Sequence, residues 1–413
     1  MPAITLDFQN SQQLDPRVTF SRSSGATYIN SAGLVVSAAD HEPRFDHDPV
    51  TGECLGLLVE ESRTNLEPDS EELDTWGATE CSVTPNVTIA PDGTATADRF
   101  VPNVGTVRPW ITSTFLGADA VDYTFSIYAK ADVYGFLQLA SSSGFNSRVA
   151  TFDLVNGLIT YFSTSSATIE PLKDGWYRCS ITQVSVSNTN KNVLVLGAPS
   201  DPGSNRLPTY TAAAGDGLFL WGAQGEQGSF PTSYIPTTGS TVTRSADIAQ
   251  ITGDNFSSWY NQSEGTVFEN VSLLNSNDNS SGFFTFISSD GSRWQAYVGT
   301  GPTRFRSQLS APGNPGGGRT ILDSSSVNVI NKFAVTQSGT SLDFALVNNE
   351  QSAVSGTYHQ PGTFTGIEIT NANNKNTGGT VNNNYQTQLN GHIARLSYYN
   401  ERLTDAELQT LTS

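Results

Sequence analysis

The chain has 413 residues, more than one hydrophobic core usually serves, so two or three domains are expected. Its formal net charge of −18, with Lys scarce and no stretch alternating Lys or Arg with aromatics, repels phosphate backbones, and nucleic acid is not an expected partner. An apolar content of 37%, of which aromatics are 10% of all residues, is too core-rich for a disordered chain.

No apolar run approaches the roughly 20 residues that cross a bilayer, so no membrane insertion is expected. Met1 to Phe8 lacks the basic then apolar pattern of a signal peptide, which predicts a product made in a cytoplasm. Cys54, Cys81 and Cys179 are odd in number and widely spaced, with no C-x-x-C pair, so they read as buried free thiols rather than a disulfide framework or a zinc site.

Taken in chain order, the predicted elements are nearly all strands. A first module, residues 1–66, carries Phe20, Tyr28, Leu34 and Phe45 as a small core and a hairpin turn at Asn30 to Gly33. Arg22, Arg44 and Arg63 are there to pair with nearby carboxylates and staple a core-poor unit. An acidic stretch, Glu67 to Asp74, marks the boundary to residues 67–245, where alternating runs such as Tyr123 to Ala129, Phe136 to Ala140, Trp176 to Thr182 and Val193 to Leu196 are divided by Pro-Asp-Gly and Lys-Asp-Gly turns. Trp76, Trp176 and Trp221 fall within regular strand patterns and read as core.

A Thr- and Ser-rich connector, Pro236 to Asp247, leads into a linker, 246–262, and a last unit, 263–413. Within that unit Phe284 to Ile287, Phe333 to Thr336 and Ile393 to Tyr399 read as strands, and the runs from Ala311 and from Asn371 as long polar loops. The one helix expected lies at the end, where Thr404 followed by Glu407 forms a capping box and Leu403, Leu408 and Leu411 fall at helical spacing to latch onto the preceding strand. No fixed-period repeat argues for a β-helix or solenoid. The fold class is therefore all-β: a small N-terminal β module, two β-sandwich (jelly-roll) domains and one short C-terminal helix.

The stretch Val18 to Val35, with Pro43 to Gly52 and Leu55 to Leu66, resembles a module widespread in tailed-bacteriophage structural proteins, of the tail fibre, spike or head-decoration type. Residues 67–245 resemble the carbohydrate-binding-module-like jelly roll of those proteins, through Trp76, Ala90 to Phe100, Tyr123 to Ala131, Asp174 to Arg178, Leu218 to Glu226 and Phe230 to Thr237. The last unit resembles concanavalin A-like and laminin G-like sandwiches, through Gly265 to Val271 and Leu389 to Leu408.

These resemblances imply a non-enzymatic virion surface protein that binds host-surface glycans for attachment, released by lysis and exposed on the particle. Other virion proteins are its expected partners and a homotrimer its expected state. The alternatives are a purely structural capsid or tail decoration protein and a polysaccharide depolymerase. Against an enzyme, Glu264, Glu269, Glu350 and Glu368 are scattered singly, and His41, His47, His359 and His392 accompany no Gly-x-Ser-x-Gly elbow, so no catalytic residue is assigned.

Glycan binding needs an exposed ring and planar polar groups. The candidates are Trp110 with Arg108, Tyr134 and Phe145 in the jelly roll, and Trp294 with Arg293, Tyr297 and Tyr385 in the last unit. A structural calcium ion, as such modules often hold, would take Asp92 and Asp216 as donors, drawn from a wider set with Asp74 and Asp201. No other cofactor is expected.

Overall fold

The computed structural model describes residues 1–274, 282–288, 293–298, 304–310, 319–323, 331–338, 341–347, 350–352, 356–357, 363–369, 371–375 and 381–413. Among them the fold is all-β, with antiparallel sheets throughout and three short helices, as the alternation of apolar and polar residues requires.

The central part is a jelly roll of two six-stranded sheets. One runs Ser166–Pro171, Trp176–Val184, Asp122–Ala131, Leu218–Gln227, Ala97–Pro102, Cys81–Thr88; the other runs Leu158–Phe162, Val149–Asp153, Phe136–Ser141, Lys191–Ala198, Trp110–Phe115, Gly77–Thr79. Their inner faces close over Phe100, Ile111, Phe125, Leu137, Phe152, Val195 and Leu220. Trp176 and Trp221 are buried beneath a second aromatic cluster with Tyr128 and Tyr234, and Trp76 is buried in the main one.

The second sandwich is built from both ends of the sequence. The strand Gly391–Tyr399 pairs with Glu264–Leu273 on one side and with Cys54–Val59 and Ile4–Asp7 on the other. Thr19–Ser21 joins the facing sheet through Ile248–Thr252. Residues 1–66, expected as a module of their own, thus share both sheets with the last unit, and residues 246–262, expected as a linker, contribute a strand and a four-residue helix, Asp254–Ser257. The physical reason is core size: Leu6, Phe8, Leu57 and Val59 find burial only against Phe283, Phe333, Leu396 and Tyr398. The backbones approach closely here, so that a Cβ on Gly56, at φ +113°, would lie 2.3 Å from the Ile393 carbonyl oxygen.

Local signals read in the sequence reappear. The Asn30 to Gly33 turn joins Ala26–Ile29 to Val35–Ala38, with Asn30 Oδ1 accepting from the N–H groups of Ala32 and Leu34. The terminal helix, Asp405–Thr412, starts at Thr404, whose N–H and hydroxyl both donate to Glu407. Leu403 and Leu408 then pack on Phe268, Ala334 and Tyr399. Cys54 and Cys179 are buried free thiols; Cys81 is half-buried, its thiol donating to the Trp110 carbonyl at 3.2 Å.

Candidate functional site

Where the jelly roll meets the second sandwich, the stapling charges of the N-terminal segment become a fully buried cluster. Arg44 donates to Glu60 at 2.7 Å and to Asp247 at 2.5 Å, Arg22 donates to the other Asp247 oxygen at 3.1 Å, and Arg244 lies 3.5 Å from Glu60; all five side chains are sealed from solvent. Asp247 also accepts the Glu60 N–H at 2.9 Å, and Glu60 accepts both the N–H and the hydroxyl of Ser233. Burial alone would raise the Glu60 carboxyl, but the Arg244 and Arg44 guanidiniums with Ser233 override it and hold it well below the usual range. Glu226, also buried and bonded to Thr232, balances the third arginine. The sequence pointed to Arg22 and Arg44. It did not point to Arg244 and Asp247, which sit in a connector whose composition reads only as loop.

Above this cluster opens a cleft of about 310 Å³. Its walls come from three parts of the chain: Tyr28, Asp46 and His47 of the N-terminal segment, Tyr128, Glu170, Leu172 and Arg178 of the jelly roll, and His392 of the second sandwich. Asp46 fixes the floor. One of its oxygens accepts the Ile29 N–H at 2.6 Å and the other meets His392 Nε2 at 2.8 Å, while His392 Nδ1 meets Ser272 Oγ at 3.2 Å.

The second histidine is arranged differently. His47 Nδ1 lies 3.1 Å from the Ile29 carbonyl and so carries the hydrogen, which in the neutral ring leaves Nε2 as an acceptor. That Nε2 is buried without a protein partner. Arg178 spends its two terminal nitrogens on the Thr232 carbonyl and the Ser126 hydroxyl, stacks over Tyr128, and keeps Nε unpartnered. Both residues, His47 and Arg178, line the cleft beside apolar and aromatic neighbours. A second cleft of about 460 Å³ adjoins it across Leu172, lined by Lys130, Lys173 and Trp176.

The residues nominated by sequence for glycan contact lie elsewhere. Trp294 is fully buried, stacked on Phe286 at 4.9 Å, so its face is unavailable; Arg293 beside it is half-buried. Tyr134 is buried edge-on to Tyr210, its hydroxyl donating to Asp216 at 3.0 Å. Phe145 is buried against Tyr123. These three are corrected to core positions: each sits near a turn, but its ring folds inward to fill the sandwich. Trp110 is half-buried and packs on the jelly-roll core, and Arg108, exposed, donates to the Leu207 carbonyl. Tyr297 and Tyr385 stand on strands, but their side chains lie outside the described residues, as does His359.

The two expected calcium donors are spent on their own turns. Asp92 accepts from the N–H and hydroxyl of Thr94, and Asp216 accepts from the Ala213 N–H and Tyr134 hydroxyl. Among the described residues no group of three or more His, Cys, Asp or Glu is gathered as a metal would need.

No protein-family model and no curated protein matches the sequence. Solved structures do match. A Trypanosoma rangeli sialidase in complex with sialic acid is 10% identical over 77% of this chain, with a TM-score of 0.28, and the chain spans 60% of its length. The LG1-3 region of the laminin alpha2 chain is 11% identical, covering 72% of this chain and 66% of its own, at a TM-score of 0.23. Domains LG4-5 of the mouse laminin alpha1 chain are 8% identical, covering 83% of this chain and 88% of their own, also at 0.23.

The matched structures include laminin G domains. The functional expectation is corrected: the matched structures named here are sialidases, which are enzymes, and laminin domains, and nothing in them points to a bacteriophage virion protein.

Proposed function

We propose that this chain binds a saccharide unit in the cleft between its two sandwiches and holds it without cleaving it. The observation that carries the reading is the cleft itself, lined by His47 and Arg178, each with a buried nitrogen that has no protein partner, and by the half-buried ring of Tyr28. A sugar hydroxyl reaching these nitrogens donates to His47 Nε2 and accepts from Arg178 Nε, while a C–H face of the sugar covers the Tyr28 ring. Cleft residues of both signs, Arg178 and His392 beside Asp46 and Glu170, suit a neutral polyol better than an ion. Its volume falls at the small end of the range for small-molecule sites.

Binding without turnover is supported by the commitment of two of the cleft's carboxylates: Glu60 is ion-paired and Asp46 bonded on both oxygens. Ser272, His392 and Asp46 have the residue types of a nucleophilic triad. Ser272, however, stands directly across the ladder from His392 within a strand, not on a sharp turn that would project its hydroxyl.

The test is calorimetric titration of the whole protein with a panel of mono- and oligosaccharides. At least one sugar should bind, and His47→Ala should weaken it about tenfold, the value of roughly one net hydrogen bond. Val50→Trp, at an exposed position on the cleft wall, should block it without touching the core. No binding by any sugar, or binding indifferent to both substitutions, refutes the site. Labelling of Ser272 by a fluorophosphonate probe refutes the assignment as a binder alone.

A further inference from the structure

The four outer strands of the jelly roll are not protected alike. A sheet edge presents unpaired N–H and C=O groups, and native proteins guard it with proline, charge or brevity. Cys81–Thr88 carries Pro85, Ser166–Pro171 carries Glu170 and Pro171, and Gly77–Thr79 has three residues. The fourth, Leu158–Phe162, has neither proline nor charge and is interrupted only by a β-bulge at Thr160, where the register against Val149–Asp153 shifts. It pairs only with Val149–Asp153, and no charged residue stands between Asp153 and Glu170. Leu158 is 57% exposed, Phe162 51% and Tyr161 36%, and Val155, in the preceding turn, is 68% exposed.

We propose that this edge pairs with the same edge of a second copy of the chain, in an antiparallel, twofold dimer that joins two jelly-roll sheets into one. The sequence of the strand is self-complementary in that arrangement. With the axis at Thr160, Leu158 stands opposite Phe162 of the second copy, Ile159 opposite Tyr161, and Thr160 opposite itself, so that every cross-strand pair is apolar with aromatic or hydroxyl with hydroxyl. An arbitrary partner has no reason to match this order.

Charge points the same way. Two copies at −18 each repel, and contact between them is least opposed along a strand with no acid group of its own from Leu154 to Ile169. Asp201, exposed and 2.9 Å from the Thr160 hydroxyl, approaches the axis from each copy, so the association strengthens as salt screens it. A five-residue contact is smaller than a standard interface, which sets micromolar or weaker affinity.

Sedimentation equilibrium of the full chain tests this. Wild type should show a monomer–dimer equilibrium that shifts toward dimer with added sodium chloride. Leu158→Lys and Phe162→Lys, both at exposed positions, should each shift it at least tenfold toward monomer, with unchanged thermal unfolding of the monomer. Val104→Lys, the same type of change at a residue 70% exposed elsewhere, should leave it unaltered. A wild type monomeric at every concentration and salt overturns the proposal. So does a trimer, association that survives Phe162→Lys, or an equal loss in Val104→Lys.

Discussion

Replacing Asp247 by Asn removes one charge from the sealed cluster while keeping the side chain's shape. Asp247 serves Arg22 at 3.1 Å, Arg44 at 2.5 Å and the Glu60 N–H at 2.9 Å, with Arg244 at 4.0 Å. After the change Arg22 has no carboxylate partner, Arg44 and Arg244 share Glu60 with Glu226 farther off, and the new amide group must turn a donor toward one of the guanidiniums. Breaking a buried pair by removing one partner costs about 3–5 kcal/mol, because the remaining charge stays buried without compensation. That is a large part of the about 5–15 kcal/mol that holds a domain folded.

Urea unfolding followed by tryptophan fluorescence should therefore show the first transition moving to much lower urea with its slope retained. A loss below about 1 kcal/mol, the worth of a surface pair, would mean that the cluster is hydrated and would refute the reasoning. Replacing all five charged residues by apolar ones of similar volume is expected to cost far less than this single change, since the desolvation of the ions disappears along with their attraction.

Two further outcomes follow from buried acids. Burial pushes the Glu67 carboxyl up to about 7, against a downward pull from the Ser113 hydroxyl, so the folded chain keeps a proton there that the unfolded chain releases near 4.5. Stability should then fall as pH rises from about 4.5 to 7, and Glu67→Gln should flatten that slope in thermal unfolding at a series of pH values; an unchanged slope counts against it. Glu60 acts in the opposite sense. Its lowered carboxyl contributes stability above pH 4.5 that is lost only as the pH falls further. Glu269 is fully buried without a partner for either oxygen, between Phe333 and Leu396 in the ladder, and burial drives its pKa far up. Glu269→Leu should raise stability at pH 7 by about 1–3 kcal/mol in urea unfolding, and a loss would show that the carboxyl has a use.

Much of the architecture was legible because it is written in short range. The alternation around Tyr123 and Val193, the Asn30 turn and the Thr404 cap each lie within a few residues, and all appear where read. What joins distant segments was not. Arg44 announces that it needs a carboxylate, but nothing local says that the partner is Asp247, 203 positions on. Aromatic residues near turns posed the same difficulty: the sequence around Tyr134 or Phe145 does not say whether the ring faces water or the core, and sheet packing decides it. The cleft escaped notice for both reasons, since His47 and His392 come together only through Asp46.

One pairing has a consequence for how the chain is made. Ile4–Asp7 hydrogen-bonds to Gly391–Tyr399, a strand made only after the whole jelly roll that lies between them in the sequence. The intervening jelly roll has its full complement of strands before then and can fold during synthesis, whereas the outer sandwich waits with Leu6 and Phe8 uncovered until Gly391–Tyr399 has been made. A nascent chain of this protein therefore carries an uncovered half-sandwich ahead of a finished jelly roll, in need of shelter until its partner strands follow.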